Sequence, residues 1–201
     1  MVGRTPAAKP RVLLSVSTSV TGTRLTVEEI DGVRTLYLEG VCQSDILVDS
    51  AGMLSVAQPL ELVQVMSLLS LGWLAGGTAH SPGAPHLLLI GLGGGSIARL
   101  LSTALPHAAR LHCVELEPEV IQAAVDFFGL VLSDPHCTAE AGDSPEFLRT
   151  QHKRLREVES EGGDASAYRY DVLMIGACPA SLFPHAYVRN PSPCHRHSWS
   201  L

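Results

Sequence analysis

The sequence predicts an α/β protein with a doubly wound, mainly parallel sheet, preceded by a small antiparallel β region. Three observations predict it. Residues 86–176 alternate apolar strands with helices, the first strand runs into a glycine-rich loop at 91–95, and residues 11–50 hold short β-branched segments separated by turn signals. Alternating strands and helices imply parallel strands with right-handed crossovers, whereas short strands joined by tight turns form hairpins.

Composition favours one folded domain in a reducing compartment. The 201 residues are 46% hydrophobic and 17% charged, which is enough apolar material for a core. The formal net charge is −6 and the longest lysine or arginine run is Lys153-Arg154, so no nucleic-acid surface is indicated. The five cysteines lack a Cys-x-x-Cys pair, which favours a cytoplasmic location. Residues 1–10 are expected to be a tail, with a mitochondrial presequence as the alternative.

Residues 11–57 form the predicted small β region. The segments RLTVEEI and VRTLYLEG flank Asp31-Gly32, which is a strong signal for a two-residue hairpin turn. A second turn is expected at Ser50-Ala51-Gly52. A homodimer, if one forms, is expected to use this region.

The larger domain, predicted over residues 58–176, begins with an uncharged helix. Proline suits the first turn of a helix, so Gln58-Pro59 is expected to open it. The apolar stretch at 62–77 is slightly shorter than the about 20 residues that cross a membrane, and polar residues recur along it every three positions. A buried helix is therefore predicted, with no membrane contact, followed by a linker at 81–85.

Four strands and three helices then alternate. The strand predicted at 86–91 is continuously apolar, as expected of a strand covered on both faces. The remaining strands are predicted at 109–116, 137–143 and 168–176, and the helices at 96–105, 118–129 and 145–159. A complete doubly wound sheet normally has more than four strands, so the sheet is predicted to be truncated after residue 176 and residues 177–201 to be an irregular tail.

The glycine-rich loop is the sharpest functional signal. Gly91, Gly93, Gly94 and Gly95 separate the first strand from the next helix. Glycines let the backbone turn tightly and approach a ligand, and exposed N–H groups at a helix start favour an electron-rich group. A nucleoside ligand is therefore predicted here, with a ligand-free tight turn as the alternative. Ser96 stands where the dinucleotide fingerprint has its last glycine, which disfavours NAD.

Acidic residues after the second and third strands are the predicted companions of the loop. Glu115 ends the second strand about 20 residues past the loop, where a carboxylate can accept hydrogen bonds from ribose hydroxyls. A solvated strand-end glutamate is the alternative, and Glu117 is the fallback for the ribose. Asp143 follows the third strand and could accept from the adenine amino group, cap the helix that begins at Pro145, or do both.

Several segments resemble a known family: LIGLGGGSIARLL, CVELEPEVIQAAVDFFG, DPHCTAEAGDSPEFL and YDVLMIG. Together they look like the spermidine synthase-like branch of the class I S-adenosylmethionine-dependent methyltransferase superfamily, near the methyltransferases that modify translation elongation factor 1-alpha. Upstream, RTLYLEGVCQSD is similar to a polyamine synthase segment that supplies a glutamine to the nucleoside pocket, which here would be Gln43. The resemblance covers residues 25–176. It implies a Rossmann-like fold and S-adenosylmethionine, or its decarboxylated form, as the cofactor.

The sequence also departs from the aminopropyltransferases of that branch. Those enzymes open the helix after the β region with a Tyr-(His/Gln)-Glu cluster and place an aspartate just after the fourth strand. Here Val63-Gln64-Val65 and Gly176-Ala177 stand at these places, and Asp171 lies at the start of the strand. An amine nucleophile must lose a proton near the transition state, and no carboxylate is evident to accept it. Methyl transfer requires less of the protein than aminopropyl transfer, because the sulfonium is already a strong electrophile and positioning can supply much of the acceleration.

Three hypotheses follow for the function. The first is an S-adenosylmethionine-dependent methyltransferase that acts on a protein substrate. The second is a polyamine aminopropyltransferase that uses the decarboxylated cofactor, and the third is an inactive relative that binds a nucleoside or a partner. No catalytic residue is assigned. No metal site is predicted, because the cysteines and histidines near Cys194 lack the usual ligand spacing.

Overall fold

The computed structural model describes residues 9–55, 61–76 and 84–176. Three predicted features lie wholly or mostly outside these residues: the two tails, apart from residues 9 and 10, the start of the first helix at Gln58-Pro59, and the linker at 81–85. Within them, the strands are β1 (Arg11–Ser17), β2 (Arg24–Ile30), β3 (Val33–Leu38), β4 (Val41–Leu47), β5 (His86–Ile90), β6 (Arg110–Glu115), β7 (Cys137–Ala141) and β8 (Val172–Ile175). The helices are α1 (Glu61–Ala75), α2 (Ser96–Ala104), α3 (Pro118–Phe128), α4 (Ser144–Ser160) and a short 3-10 turn (Ser166–Tyr168).

The first four strands form an antiparallel sheet in the order β1-β2-β3-β4. The hairpin between β2 and β3 turns at Asp31 and Gly32, whose φ angles are 50° and 75°. Positive φ at both central residues matches the twist of the flanking strands, which explains why Asp-Gly occupies this turn. The predicted hairpin and the predicted antiparallel β region are confirmed.

The remaining strands form a parallel sheet in the order β7-β6-β5-β8. The chain adds strands on one side of β5 and then crosses to its other side for β8. Helices α1 and α2 pack on one face of this sheet, through residues such as Leu101 and Met66, while Phe147 of α4 packs on the other face. Helices on both faces and a reversal of strand order define a doubly wound sheet, so the predicted Rossmann-like fold class is confirmed.

The antiparallel sheet packs against α3. Its buried side chains Leu25, Leu36 and Ile46 form one cluster with Val120 and Phe128 of the helix, and all five are at most 1% exposed. Burying a large apolar side chain contributes about 1.5–3 kcal/mol, so this cluster fixes the small sheet on the larger domain. The helix ends as predicted, at Gly129 in the left-handed region with φ 70°.

The fourth parallel strand is shorter than the predicted 168–176. A 3-10 turn precedes it, and pairing with β5 begins only where Asp171 N donates to the carbonyl of His86 at 2.7 Å. The prediction of a strand from Tyr168 was therefore wrong, because the sequence pattern did not register the turn. No helix in the described parts of the chain is long and apolar enough to cross a membrane.

Candidate functional site

The glycine-rich loop lies at the carboxyl edge of the parallel sheet, between β5 and α2. Gly91, Gly93 and Gly95 have φ angles of 81°, 54° and 73°. Residues with a side chain rarely adopt such positive φ values, so the backbone conformation favours glycine at these three positions. The loop thus turns the chain from the strand into the helix within five residues.

Gly94 is required for a different reason, which is the close approach of strand β4. A Cβ atom at Gly94 would lie 2.6 Å from Cβ of Ser44 and 3.0 Å from Cδ1 of Phe128. The Gly94 N–H donates to Oγ of the buried Ser44 at 2.8 Å. The antiparallel sheet therefore touches the loop directly. Sequence reasoning missed Ser44, because a serine within a strand carries no signal until the fold places that strand against the loop.

Glu115 supplies the acceptor for two further amides of the loop. Its Oε2 accepts from Leu92 N at 2.8 Å and from Gly93 N at 3.3 Å, and its Oε1 accepts from Glu117 N at 3.3 Å. The carboxylate thus joins the loop after β5 to the loop after β6. The two features that the sequence predicted as partners do lie side by side, because parallel strands end at the same edge of a sheet.

The loop amides are not free, which corrects the sequence-based picture of exposed N–H groups. The remaining two are also used, since Gly91 N donates to Val114 O at 2.8 Å and Gly95 N donates to Leu92 O at 3.0 Å. Backbone N–H groups at a sheet edge need acceptors, and this chain supplies its own. An electron-rich ligand would have to displace Glu115 or the Ser44 hydroxyl to reach the loop amides.

Glu117 is not available to a ribose, so the fallback assignment was wrong. Its side chain is 3% exposed and its carboxylate accepts from Val20 N, from Thr21 N and from the Thr21 hydroxyl. Burial alone would raise the pKa of Glu117. The donors of the β1–β2 turn, with the Thr21 hydroxyl foremost, outweigh burial and hold the pKa below its ordinary value.

Asp143 caps helix α4. Its Oδ1 accepts from Glu146 N at 3.0 Å, which is the hydrogen bond of an N-cap, and its side chain is exposed. The capping role predicted from the sequence is confirmed. Gly142 beside it donates its N–H to Glu115 O at 2.8 Å, which places Asp143 at the same sheet edge as the loop. The adenine role of Asp143 stays a prediction.

Gln43 lies next to the loop through its main chain. A Cβ atom on Gly93 would lie 3.6 Å from Gln43 O, whereas the exposed side-chain amide donates to Val41 O at 3.2 Å. In this structure the amide is therefore held along its own strand. The predicted part of Gln43 in a nucleoside pocket stays a prediction.

The end of β8 meets the glycine-rich loop where aminopropyltransferases are expected to carry an acid. Gly176 N donates to Ile90 O at 2.8 Å, and a Cβ atom at Gly176 would lie 3.2 Å from Gly91 O. A side chain there would be tightly confined against a carbonyl oxygen. Asp171 lies at the opposite edge, where its Oδ2 accepts from His86 N at 2.8 Å. It therefore stands at the wrong end of the strand to serve the loop.

An open groove of about 640 Å³ runs along α2 on the outside of the domain. Arg99, Thr103 and His136 line it together with Gly129, and the predicted site residues do not. This groove is therefore separate from the candidate site. In the described ranges, no group of three or more histidine, cysteine, aspartate or glutamate side chains is placed to hold a metal ion.

The fold and the site together define a class of protein. A doubly wound sheet, a glycine-rich loop after its first strand and an acidic residue at the tip of the next strand are the features of the Rossmann-like class of α/β proteins. No protein-family model matches the chain. Sequence similarity to individual proteins narrows this class further.

The chain is similar in sequence to polyamine aminopropyltransferases. Those of Neisseria meningitidis serogroups A and B are each 32% identical to it over 138 residues, which is 69% of this chain and 48% of the relative. This match confirms the resemblance to the spermidine synthase-like branch of the class I methyltransferase superfamily. The chain spans about half the length of the curated relatives it matches.

Two solved structures are also similar to this one. A probable spermidine synthase from Corynebacterium glutamicum is 18% identical with a TM-score of 0.49, covering 72% of this chain and 47% of its own. Human methyltransferase-like protein 13, solved in complex with S-adenosylhomocysteine, is 24% identical with a TM-score of 0.42, covering 58% of this chain and 47% of its own.

Proposed function

We propose that this chain binds an S-adenosylmethionine-type nucleoside at the carboxyl edge of its parallel sheet and serves in transferring a group from the sulfonium. One observation carries the proposal: the Glu115 carboxylate is held beside the glycine-rich loop by Leu92 N at 2.8 Å. In doubly wound sheets, ligands bind in the crevice outside the carboxyl ends of the strands, where the strand order reverses.

Glu115 is the group that we assign to the ribose. An ionised carboxylate offers about four lone-pair sites, and two of its three amide contacts are long, at 3.3 Å to Gly93 N and to Glu117 N. Ribose hydroxyls can take the unused site and replace the long contact from Gly93 N, without breaking the short one from Leu92 N. The loop and the acid would then hold the nucleoside without a large rearrangement.

The charge of the site supports a cationic ligand. The Glu115 carboxylate lies against the loop, and no basic side chain bonds to it among the contacts that the structure describes. A sulfonium and an ammonium group are both attracted to such a carboxylate, and the attraction grows as water is excluded. The net charge of −6 acts in the same direction over longer distances.

Methyl transfer to a protein is the reaction that we place first. Positioning supplies much of the acceleration when the electrophile is a sulfonium, so the site needs no acid at the end of β8. Gly176 occupies that end, and the carbonyl of Gly91 confines any side chain there. Both features suit a reaction that does not require a carboxylate at this position.

Aminopropyl transfer to an amine is the second candidate. The sequence similarity to two polyamine aminopropyltransferases favours it. The position of Asp171 opposes it, because this carboxylate is bound to His86 N at the far edge of the sheet. An amine acceptor would therefore need a proton acceptor other than Asp171.

Calorimetry with three ligands tests the proposal and separates the candidates. We expect binding of S-adenosylmethionine, its decarboxylated form or methylthioadenosine, with the carboxylated ligand preferred by a methyltransferase and the decarboxylated ligand by an aminopropyltransferase. Glu115→Ala should abolish the binding, whereas the control Glu140→Ala, which alters an exposed carboxylate on neighbouring β7, should leave it intact. Absence of binding for all three ligands would contradict the proposal and leave the inactive relative.

A further inference from the structure

We propose that the β1–β2 turn positions the Glu115 carboxylate for the ribose by acting through Glu117. The inference rests on the proposed function, because it assigns a task to residues that surround the same site. It gives the antiparallel sheet a part in ligand recognition, although the sheet contributes no group to the ribose itself.

The Glu117 side chain contacts the β1–β2 turn. One carboxylate oxygen accepts from Val20 N at 3.1 Å, and the other accepts from Thr21 N at 3.0 Å and from the Thr21 hydroxyl. These donors lie 96 and 97 residues away in the sequence. Hydrogen bonds to an ionised group are among the stronger ones, so the turn holds this side chain firmly.

The Glu117 main chain contacts the Glu115 side chain. The backbone N–H of Glu117 donates to Oε1 of Glu115 at 3.3 Å, while the other oxygen of Glu115 is held by Leu92 N. Glu117 therefore bonds to the turn through its side chain and to Glu115, the candidate ribose acceptor, through its main chain. Movement of Glu117 would shift one of the three backbone donors that hold the Glu115 carboxylate.

Helix capping does not account for the contacts of the Glu117 side chain. It stands at the N-cap position of α3, yet its side chain makes no capping hydrogen bond to the helix. Short side chains such as serine or aspartate are preferred at that position because they reach the helix N–H groups. The buried carboxylate of Glu117 is used instead on the turn, which favours a positioning role over a capping one.

Glu119 provides a matched control on the same helix turn. Its Oε1 accepts from Ser19 N at 3.1 Å, so it also holds the β1–β2 turn. Glu115 accepts from Leu92, Gly93 and Glu117, and not from Glu119. Loss of Glu119 should remove one contact to Ser19 and leave in place both the Glu117 contacts to the turn and the donors of the ribose acceptor.

The experiment measures how strongly the full chain prefers adenosine over 2′,3′-dideoxyadenosine in calorimetry. Two hydrogen bonds to a carboxylate predict a preference of about tenfold or more for the wild type and for Glu119→Gln. For Glu117→Gln and Thr21→Val, the preference should fall below about threefold, with the affinity for dideoxyadenosine unchanged within about twofold. Thr21→Val alters an exposed turn residue and carries the test if Glu117→Gln does not fold.

The outcomes separate this inference from the proposed function. Full preference in both variants, or an equal loss of affinity for both nucleosides, would overturn the positioning role while the wild-type preference still supported the ribose site. A wild type without any preference between the two nucleosides would overturn the ribose assignment, and the positioning role with it.

Discussion

Glu115 and Leu92 are 23 residues apart in the chain, and the carboxylate of the first accepts a 2.8 Å hydrogen bond from the backbone N–H of the second. This contact joins the tip of β6 to the loop after β5, and Ser44 joins the same loop to the antiparallel sheet. The candidate site is therefore assembled by three separate segments of chain. If these and related contacts hold the fold and the site together, removing or crowding them should lower stability or ligand affinity.

Adding a methyl group at Gly94 should destabilise the fold. In Gly94→Ala the new Cβ would lie 2.6 Å from Cβ of Ser44, a contact that forces either strand β4 or the loop to shift. Overpacking of this kind costs about 1–3 kcal/mol in the free energy of unfolding. Gly142→Ala is the control at the same sheet edge, where a Cβ meets nothing within 4 Å. Denaturant unfolding of both variants checks the prediction, and equal stability of the two would contradict it.

Removing Arg34 should loosen the antiparallel sheet from α3. Its guanidinium donates to Phe127 O at 2.7 Å and pairs with Glu29 at 2.7 Å, and its side chain is 13% exposed. Arg34→Met keeps the apolar stem but leaves Phe127 O and the Glu29 carboxylate without this donor. We expect the free energy of unfolding to fall by about 1–3 kcal/mol. Arg11→Met removes the 68% exposed partner of the same carboxylate and should cost less than about 1 kcal/mol. Chemical denaturation compares the two variants.

The same pair should show a pH dependence of known sign. The hydrogen bond from Arg34, ahead of the smaller charge effects, holds the pKa of Glu29 below its ordinary value. A lowered pKa in the folded state contributes stability above the ordinary value of 4.5 that is lost as the pH falls through the folded value. The stability difference between wild type and Arg34→Met should therefore shrink from about pH 6 to about pH 3. A constant difference would argue against the pair.

His136 should stabilise the fold in its protonated form. Its two ring nitrogens lie 2.9 Å from the carbonyl oxygens of Ser102 and Ala109, and only the imidazolium can donate to both. These carbonyls, that of Ser102 foremost, raise the pKa of His136 above its ordinary value despite burial. The stabilisation is complete below about pH 6.5 and is lost as the pH rises through the raised pKa.

The measurement for His136 is the stability difference between wild type and His136→Gln across that window. We expect a larger difference at about pH 5.5 than at about pH 8.5, because glutamine donates to the carbonyls equally at both. A His136 difference that grew with pH would reverse the assigned sign.

The features that the sequence predicted well depend on local chemistry. Asp31-Gly32 marks its hairpin because both residues tolerate positive φ, and Gly129 marks the end of α3 for the same reason. Glu115 could be placed beside the glycine-rich loop because neighbouring parallel strands end at one edge. Each of these inferences needed only the order of the elements and the type of residue.

The features that the sequence did not predict depend on how the two sheets pack. The fallback use of Glu117 for a ribose failed because the β1–β2 turn, which is remote in sequence, covers this carboxylate. Ser44 was missed for the same reason, since only the packing of the antiparallel sheet on α3 brings it to Gly94. The prediction of exposed loop amides failed because Glu115 and Ser44, which accept from three of these amides, lie on other segments.

The most direct test of the account is to follow the backbone amide signals of the isotope-labelled chain by NMR during a titration with methylthioadenosine. We predict saturable shifts at Leu92, Gly93 and Asp143, which border the proposed site, and loss of these shifts in Glu115→Ala. Saturation without any change at Leu92 and Gly93, or shifts confined to the groove beside Thr103 and His136, would contradict the claim that the glycine-rich loop and Glu115 form the nucleoside site.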